Sequence, residues 1–358
     1  MIRALLAALA LSAAASITVP DAARAAPWPT TEGDLVFKDV TFKSGERLSE
    51  ARMRYTTAGT PHRNAQGEID NAVMLLHGTG GSGKNFLSPL FADELFGPGQ
   101  PLDLAKTYVI MPDNIGHGGS SKPSDGLRMA FPRYDYDDMI ALQHRLLVEG
   151  LGVKRLKLIL GTSMGCMHAF VWGQTYPGFA ERLAPFACNA VPLVGRNRMW
   201  RKMAMDAIRA DPAWKEGNYT TQPMAGLRTL TDLLILAGAN PLAQQAQYPT
   251  REATDKALDQ AFNARIGTID ANDALYYIDA SRTYDPSPGL EKITVPVLWV
   301  NSADDFINPP ELGLAEPLAK RMPKARFVLI PASTETRGHG THTAAKFWKA
   351  DLAKLLAQ

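Results

Sequence analysis

Short apolar runs alternate with longer stretches of helical periodicity along most of the chain. The segment Tyr136–Glu149 is typical of these stretches, because its apolar residues recur every three or four positions. This alternation predicts βαβ units and a mostly parallel sheet that is buried on both faces. The predicted parallel strands are Asn71–His77, Tyr108–Asn114, Leu156–Gly161, Leu183–Asn189, Val295–Asn301 and Arg326–Pro331.

Both ends of this pattern differ from its middle. Asp34–Phe42 and Ala51–Thr57 predict an antiparallel hairpin in front of the parallel strands, and His342–Leu356 predicts a closing amphipathic helix. Between Asn189 and Val295 about a hundred residues pass without a clear strand. We therefore predict a helical insertion over residues 191–290, flanked by two core segments at 26–190 and 291–358.

The position of this insertion predicts its role. Ligands of an α/β sheet bind beyond the carboxyl ends of the strands, so helices inserted after the sixth strand should cover that edge as a lid. The insertion is rich in aromatic and Met residues, among them Trp200, Met205 and Trp214. For any one of these residues, we expect packing inside the lid rather than contact with substrate.

The N-terminus has the order of a secretory signal peptide. Arg3 precedes an apolar, alanine-rich stretch that ends in the small-residue sequence Ala23-Arg24-Ala25. A retained membrane anchor is the alternative, but Ser12, Ser16 and Pro20 interrupt the stretch. We predict cleavage after Ala25, no stable membrane anchor, and a periplasmic or secreted protein.

Charge and cysteine content narrow the classes of partner. The 358 residues carry a formal net charge of +2, without a dense basic block, so no nucleic-acid partner is expected. Cys166 and Cys188 are the only cysteines. Export would permit a disulfide, but both residues lie in segments that should be buried, and we expect a pair of free thiols.

Gly161-Thr162-Ser163-Met164-Gly165 carries the first candidate chemistry. It follows a predicted strand and precedes a predicted helix, which is the context that a GxSxG nucleophile elbow requires. The flanking glycines suit a turn in which larger side chains would collide with the neighbouring strand and helix. The pattern indicates that Ser163 is a nucleophile.

An attacking serine needs hydrogen-bond donors for the oxyanion that it creates. The sequence His77-Gly78-Thr79-Gly80-Gly81 follows the first parallel strand, where this loop belongs in the α/β-hydrolase fold. We expect the backbone N–H of Met164 as one donor and that of Thr79 or Gly80 as the other. A phosphate-binding loop over residues 78–84 is the alternative, but its spacing does not match a P-loop.

The serine also needs a histidine as base and a carboxylate that orients this histidine. In this fold the Asp or Glu follows the serine in the chain, and the His follows the Asp or Glu. His339 lies in a glycine-flanked loop after the last strand, whereas His342 should begin the closing helix and be solvated or capping. Asp304 and Asp305 are adjacent after the penultimate strand, and Asp305-Phe306-Ile307-Asn308-Pro309 fits the recurring pattern of the acid. We assign the acid to Asp305 and a turn-stabilising role to Asp304.

The other histidines have ordinary explanations. His77 precedes the oxyanion loop and should brace it, and His168 lies on the helix after Ser163. No pair among these other histidines has zinc-ligand spacing, and the acid–base groups are already supplied. No metal and no cofactor are predicted.

These residues as a set resemble the homoserine O-acetyltransferase family over most of the chain after the predicted signal. The resemblance implies an α/β-hydrolase fold, a helical lid that often mediates a homodimer, and a double displacement through an acyl-serine. The matching stretches, in chain order, are Leu95-Phe96-Gly97-Pro98-Gly99, Leu102-Asp103, Tyr108, Asp113-Asn114-Ile115-Gly116, Phe131-Pro132, Asp138-Met139, Gln143, Leu151-Gly152-Val153, Gly161-Thr162-Ser163-Met164-Gly165, Tyr176-Pro177, Ala207-Ile208, Asp211-Pro212, Trp214, Gly217 and Tyr284-Asp285-Pro286.

Two departures from that family concern the substrate. Met205 stands where the family usually has an Arg, and Gly340 stands where it usually has an Asp after the histidine; the two groups look suited to the carboxylate and the amine of homoserine. Losing both would leave a zwitterion without charge partners. Arg201 and Arg209 lie one helical turn on either side of Met205, so a displaced carboxylate site stays open. Acetyl-CoA would also not be met by an exported protein.

The sequence therefore predicts an exported serine hydrolase that acts on a small-molecule carboxylic ester through Ser163, His339 and Asp305. The alternative is an O-acyltransferase that passes the acyl group to an alcohol. A non-catalytic binding protein on the same scaffold is disfavoured because all three groups are present. Candidate substrate-binding residues are Trp200, Arg201, Met205 and Arg209.

Overall fold

A computed structural model describes residues 28–358, and the predicted signal peptide lies outside these residues. Within them the chain forms one sheet of eight strands in the order β1-β2-β4-β3-β5-β6-β7-β8. The strands are β1 Thr30–Thr41, β2 Arg47–Ala58, β3 Ala72–Leu76, β4 Tyr108–Pro112, β5 Leu158–Thr162, β6 Leu183–Phe186, β7 Val297–Ser302 and β8 Ala325–Ile330.

Helices cover the sheet, and those from α4 to α8 lie between β6 and β7 in the chain. The α-helices are α1 Pro89–Leu95, α2 Tyr136–Arg145, α3 Met164–Thr175, α4 Gly195–Ala210, α5 Met224–Ala237, α6 Pro241–Gln247, α7 Arg251–Ile266, α8 Ala271–Asp279, α9 Ala315–Ala319 and α10 Lys349–Leu356. A π-helical turn, Leu146–Gly150, extends α2. Short 3-10 helices lie at Gly83–Leu87, Pro123–Asp125, Arg128–Ala130, Lys215–Gly217, Ala280–Thr283, Ser287–Lys292, Pro310–Leu312, Gly338–Thr343 and Ala345–Phe347.

The sheet is antiparallel only at its N-terminal edge. β1 pairs with β2 and β2 pairs with β4 in antiparallel fashion, and the remaining pairs are parallel. Alternate residues of β3 enter the two core clusters, with Met74 and Leu76 on one face and Val73 and Leu75 on the other. Because these strands are buried on both faces, their sequences are continuous apolar runs. The order of the eight strands and the helices around them confirm the predicted α/β-hydrolase architecture.

The inserted helices have a small core of their own. Met205 and Ile208 of α4 pack against Leu227 and Leu230 of α5, and residues of α8 complete the cluster. None of the helices in residues 28–358 combines the length and the apolar character needed to cross a bilayer.

The predicted closing helix His342–Leu356 is shorter in the structure. A 3-10 helix spans Gly338–Thr343, a second spans Ala345–Phe347, and α10 begins only at Lys349. Ala344 between the two 3-10 helices has an extended backbone, with φ −99° and ψ 90°, so it interrupts the helix that the periodicity predicted.

The prediction of two free thiols is wrong, because Cys166 and Cys188 form a disulfide with their Cα atoms 5.9 Å apart. Both residues are buried, as expected. Burial does not distinguish a thiol from a disulfide, since the distance between the two Cα atoms decides whether a bond can form. The bond joins α3 to the segment that follows β6.

Candidate active site

Ser163 lies at a sharp turn between β5 and α3. Its backbone has φ 55° and ψ −109°, and its N–H donates to the carbonyl of Phe186 at 2.8 Å. A Cβ on Gly161 would lie 1.9 Å from the Gly165 carbonyl oxygen, and one on Gly165 would lie 2.0 Å from that of Leu76. Both glycines are therefore required for the turn that presents the serine.

A continuous chain of hydrogen bonds runs from this serine to a buried carboxylate. The Nε2 atom of His339 lies 2.9 Å from Ser163 Oγ, and its Nδ1 atom lies 2.9 Å from Asp305 Oδ2. A carboxylate only accepts, so Nδ1 carries the proton and Nε2 is free to accept from the serine hydroxyl. This is the tautomer that a general base needs in order to take a proton from serine.

Asp305 is held by several donors in addition to His339. Its Oδ1 accepts from the backbone N–H groups of Ile307 at 2.7 Å and Asn308 at 3.1 Å, and its Oδ2 accepts from Asn308 Nδ2 at 3.1 Å. Burial acts to raise the pKa of Asp305, but the attraction and hydrogen bonds of His339 and Asn308 oppose it, and the pKa lies below its usual value. The carboxylate stays charged and fixed beside the imidazole.

Asp304 binds the loop that carries the histidine. One of its carboxylate oxygens accepts from Thr336 Oγ1 at 2.8 Å and from the Gly338 N–H at 3.0 Å, and the other accepts from Ser302 Oγ. The two adjacent acids thus have separate partners, and only Asp305 contacts His339.

The loop after β3 lies against Ser163. A Cβ placed on Gly78 would lie 3.3 Å from Ser163 Cβ. The carbonyl of Gly78 accepts from the Gly81 N–H at 3.0 Å and from His77 Nδ1 at 2.8 Å. Because the peptide between Gly78 and Thr79 is planar and trans, the N–H of Thr79 points away from that carbonyl.

A buried polar network fixes His77, and sequence reasoning did not find it. His77 Nε2 accepts from the backbone N–H of Asn114 at 3.2 Å, so Nδ1 is the protonated nitrogen. Gln143 donates to Asn114 Oδ1, accepts from Trp172 Nε1 at 2.6 Å, and lies 3.1 Å from His168 Nδ1. Burial lowers the pKa of both histidines, that of His168 to about 3, so both rings stay neutral.

A cavity of about 170 Å³ opens in front of Ser163. Of the three expected oxyanion donors, Thr79 lies in the wall of this cavity, whereas Gly80 packs against Tyr277. Met164 is buried in the first turn of α3, where helix geometry leaves backbone N–H groups unpaired. The lining residues are Gly78, Thr79, Ser163, Met167, Ala187, Cys188, Asn197, Trp200, Arg201, Leu234, Ile307, Asn308, His339 and His342.

The four lid residues proposed to bind substrate divide into two pairs. Trp200 and Arg201 line the cavity. Met205 is buried in the lid core, and Arg209 is exposed at the far end of α4. Of helix α4, therefore, only the first turns reach the cavity in front of Ser163.

Arg201 is buried without a carboxylate partner among the described residues. Its exposed fraction is 2%, its Nε donates to Asn197 Oδ1 at 3.0 Å, and its guanidinium lies 4.6 Å from the Trp200 ring centroid. Burial lowers the pKa of this guanidinium, although an arginine keeps its charge in proteins. A permanent positive charge therefore faces the cavity.

His342, expected to be solvated or capping, is half-buried and lines the same cavity. It lies inside the 3-10 helix Gly338–Thr343, and its Nδ1 contacts the backbone carbonyl of His339. Within residues 28–358 no group of three or more His, Cys, Asp or Glu side chains is arranged to hold a metal ion. The prediction that no metal or cofactor is used stays a prediction.

Comparison with known proteins agrees with this fold. A model of the alpha/beta hydrolase fold family matches residues 71–334. The chain belongs to the alpha/beta hydrolase fold family, as its elbow and sheet order indicate. A probable acyltransferase of Methanothermobacter thermautotrophicus is 30% identical over 294 residues, which cover 82% of this chain and 88% of that protein.

Solved structures of two differently named enzymes share the fold. A homoserine O-acetyltransferase from Bacillus anthracis superposes with a TM-score of 0.80 at 22% identity, covering 92% of this chain and 98% of that one. Esterase E22 superposes with a TM-score of 0.79 at 19% identity, covering 92% and 100%. The family match and the probable acyltransferase show an enzyme of the hydrolase or acyltransferase type. The predicted resemblance to homoserine O-acetyltransferases is confirmed by the protein of that name from Chloroherpeton thalassium, which is 27% identical over 333 residues, covering 84% of this chain and 82% of that protein.

Proposed function

We propose that the protein is an exported serine hydrolase that cleaves a small-molecule carboxylic ester through an acyl-serine intermediate. The observation that carries this proposal is the hydrogen-bond chain from Ser163 through His339 to Asp305, which opens on a cavity. The three side chains come from three separate loops at one edge of the sheet. Their convergence in a nucleophile–base–acid order fits acyl transfer.

In the first half-reaction, His339 Nε2 takes the proton from Ser163 Oγ as the oxygen attacks the ester carbonyl. The tetrahedral intermediate collapses when its bond to the alkoxy oxygen breaks, and His339 returns the proton to the leaving alcohol. In the second half-reaction a water molecule gives a proton to His339 and attacks the acyl-serine carbonyl. When the bond from this carbon to Ser163 Oγ breaks, His339 returns the proton to Oγ, which releases the carboxylic acid and restores both side chains.

The donors of the oxyanion hole are proposed to be the backbone N–H groups of Met164 and Thr79. The Met164 amide lies at the start of α3, where the helix dipole also favours negative charge. His77 and the Gly81 N–H hold the Gly78 carbonyl, and this orients the Thr79 N–H on the opposite side of the same peptide. Gly80, the other expected donor, packs against Tyr277.

Export remains a proposal that rests on two separate observations. The first 25 residues have the composition of a secretory signal peptide. The Cys166–Cys188 disulfide is a bond that forms and persists mainly in oxidising compartments. A periplasmic or secreted location accommodates both observations.

The second candidate function is O-acyltransfer to an alcohol, and Arg201 is the observation that favours it. A buried guanidinium in the wall of the cavity, without a carboxylate partner among residues 28–358, suits an acceptor or ester that carries a carboxylate. The similarity to a probable acyltransferase is consistent with this candidate. Both functions share the chemistry up to the acyl-serine and differ in the acceptor.

One experiment tests the nucleophile. Purified protein should react with a fluorophosphonate probe at Ser163 and hydrolyse p-nitrophenyl acetate, and Ser163→Ala should lose both properties while its thermal midpoint stays unchanged. Ser44→Ala, which alters an exposed serine, is the matched control. A Ser163→Ala protein that keeps more than about 1% of the activity would rule out the assignment, since loss of such a nucleophile removes several powers of ten.

A second experiment separates the two acceptors. The protein is incubated with acetyl-CoA and L-homoserine, and O-acetylhomoserine is measured by mass. Ester hydrolysis with little effect of added homoserine is expected. Product formed well above the rate of ester hydrolysis would identify a transferase and would give Arg201 the role of carboxylate partner.

A further inference from the structure

A second and larger cavity adjoins the one in front of Ser163. It measures about 760 Å³ and lies between residues 189–197, the end of α5 with the start of α6, and the loop 303–314 after β7. Asn197, Ile307 and Asn308 line both cavities. The larger cavity therefore borders the space in front of Ser163, and we call it the side groove.

The walls of the side groove are mainly apolar. Val194, Leu236 and Leu312 line it with exposed fractions of 70%, 59% and 55%. They are three of the four most exposed large hydrophobic side chains among the described residues. Single exposed apolar residues are ordinary on a protein surface, but several gathered in one concave site indicate an apolar ligand.

Three charged groups in the same walls already have partners within the protein. Asp304 is bound to the histidine loop, Asp305 is bound to His339, and Arg196 lies over the Phe306 ring at 4.1 Å from its centroid. Apart from Gln244 and the exposed Glu311, the groove therefore offers mainly apolar surface to a ligand.

We propose that the side groove binds an extended alkyl chain of the ester substrate. This inference rests on the proposed ester chemistry at Ser163 and specifies its substrate class. The cavity in front of Ser163, at about 170 Å³, holds only a small acyl group, whereas the side groove is within the size range of small-molecule sites. In an ester, the acyl chain and the alkoxy group are attached to the same carbonyl carbon. The alkyl chain in the groove can therefore belong to either part of the substrate.

Two ester series test the proposal and distinguish the two sources of the chain. One series lengthens the acyl part, from p-nitrophenyl acetate to the octanoate and decanoate; the other lengthens the alcohol part, from ethyl acetate to octyl acetate. In one of them kcat/KM should rise about two- to fourfold for each added CH2, according to how fully the groove buries it. Flat or falling profiles in both series would overturn the inference while leaving the esterase proposal intact. Absence of hydrolysis of every ester would overturn the proposed function.

A charged residue in the groove should remove the preference for long chains. Leu312→Asp places a carboxylate on the exposed 3-10 helix Pro310–Leu312, and the ratio of kcat/KM for the long ester to that for the acetate should fall at least tenfold. Leu236→Asp repeats the test from the opposite wall in case the first variant is unstable. Leu90→Asp, at an exposed leucine of α1 outside the groove, is the matched control and should keep the wild-type ratio.

Size-exclusion chromatography of the same variants separates a ligand groove from a protein interface. If Leu312→Asp and Leu236→Asp change the apparent mass but leave the ratio unchanged, the groove packs against a second copy of the chain and the inference is wrong. An unchanged mass with a lowered ratio supports the alkyl-chain site.

Discussion

Reduction of the Cys166–Cys188 disulfide should lower the free energy of unfolding by about 3 kcal/mol. The two cysteines are separated by 22 positions in the sequence. Closing a loop of that length removes enough entropy from the unfolded chain to account for roughly this stabilisation in the chain-entropy model. For a domain with about 330 described residues, the unfolding entropy near the midpoint converts this loss into about 4 °C.

Thermal unfolding measured with and without a thiol reductant is the assay. Wild-type protein should lose about 4 °C on reduction, whereas the double variant Cys166→Ala/Cys188→Ala should be insensitive to the reductant. Before reduction, denatured wild-type protein should show no reactive thiol. Reactive thiols at that stage would refute the disulfide, and an unchanged midpoint after full reduction would refute the loop-entropy argument.

The remaining predictions concern the acids and a buried histidine. Asp305→Asn should lower kcat by about four powers of ten through the wrong tautomer of the His339 imidazole. Asp304→Asn should lower kcat less than about tenfold, because an amide oxygen can still accept from Gly338. Steady-state kinetics that reverse this order would move the acid to Asp304. The pKa of His168 is about 3 in the folded protein, against 6.5 for a free imidazole. Between these two pH values the unfolded chain binds a proton that the folded protein does not bind. The free energy of unfolding should therefore fall by about 1.4 kcal/mol per pH unit as the pH drops below 6.5. Urea unfolding at pH 7 and pH 5 should show a smaller loss for His168→Phe than for wild type, and equal losses would contradict the neutral, buried imidazole.

The elements around Ser163 could be predicted from sequence because their signals are local. The strand and helix periods on either side of the elbow, and the two glycines that the turn requires, lie within a few residues of the serine. The choice of Asp305 over Asp304 likewise followed from a five-residue pattern, and the structure gives the two acids the separate partners that this choice implies.

The parts that the sequence did not predict depend on distances between remote segments. The disulfide requires the end of β6 to meet the first turn of α3, and no local pattern reports that approach. The network that joins His77, Asn114 and Gln143 spans three separate elements in the same way. Only the position of His77 before the glycine-rich loop was a signal, and it indicated a bracing role without naming the partners.

Helix α4 shows the limit of reasoning from helical phase. Arg201 and Met205 are one turn apart and share a face, but a turn also displaces a residue by about 6 Å along the axis. That displacement is enough to move Met205 from the cavity into the lid core, where it packs with Leu227 and Leu230. Position along the helix axis, which depends on where α4 packs, therefore decides which residue reaches the cavity in front of Ser163.

This displacement changes the argument about homoserine without reversing it. The carboxylate of the amino acid has a candidate partner in Arg201, one turn before the position where the resembling family carries its Arg. The ammonium group has none, because no Asp or Glu is among the residues that line the cavity in front of Ser163, and Asp305 nearby is already bound to His339. Removing an unpaired ammonium from water costs several kcal/mol. This cost would offset much of the favourable binding free energy between the homoserine carboxylate and Arg201. An ester that carries a carboxylate but no ammonium, or no charge at all, avoids that cost.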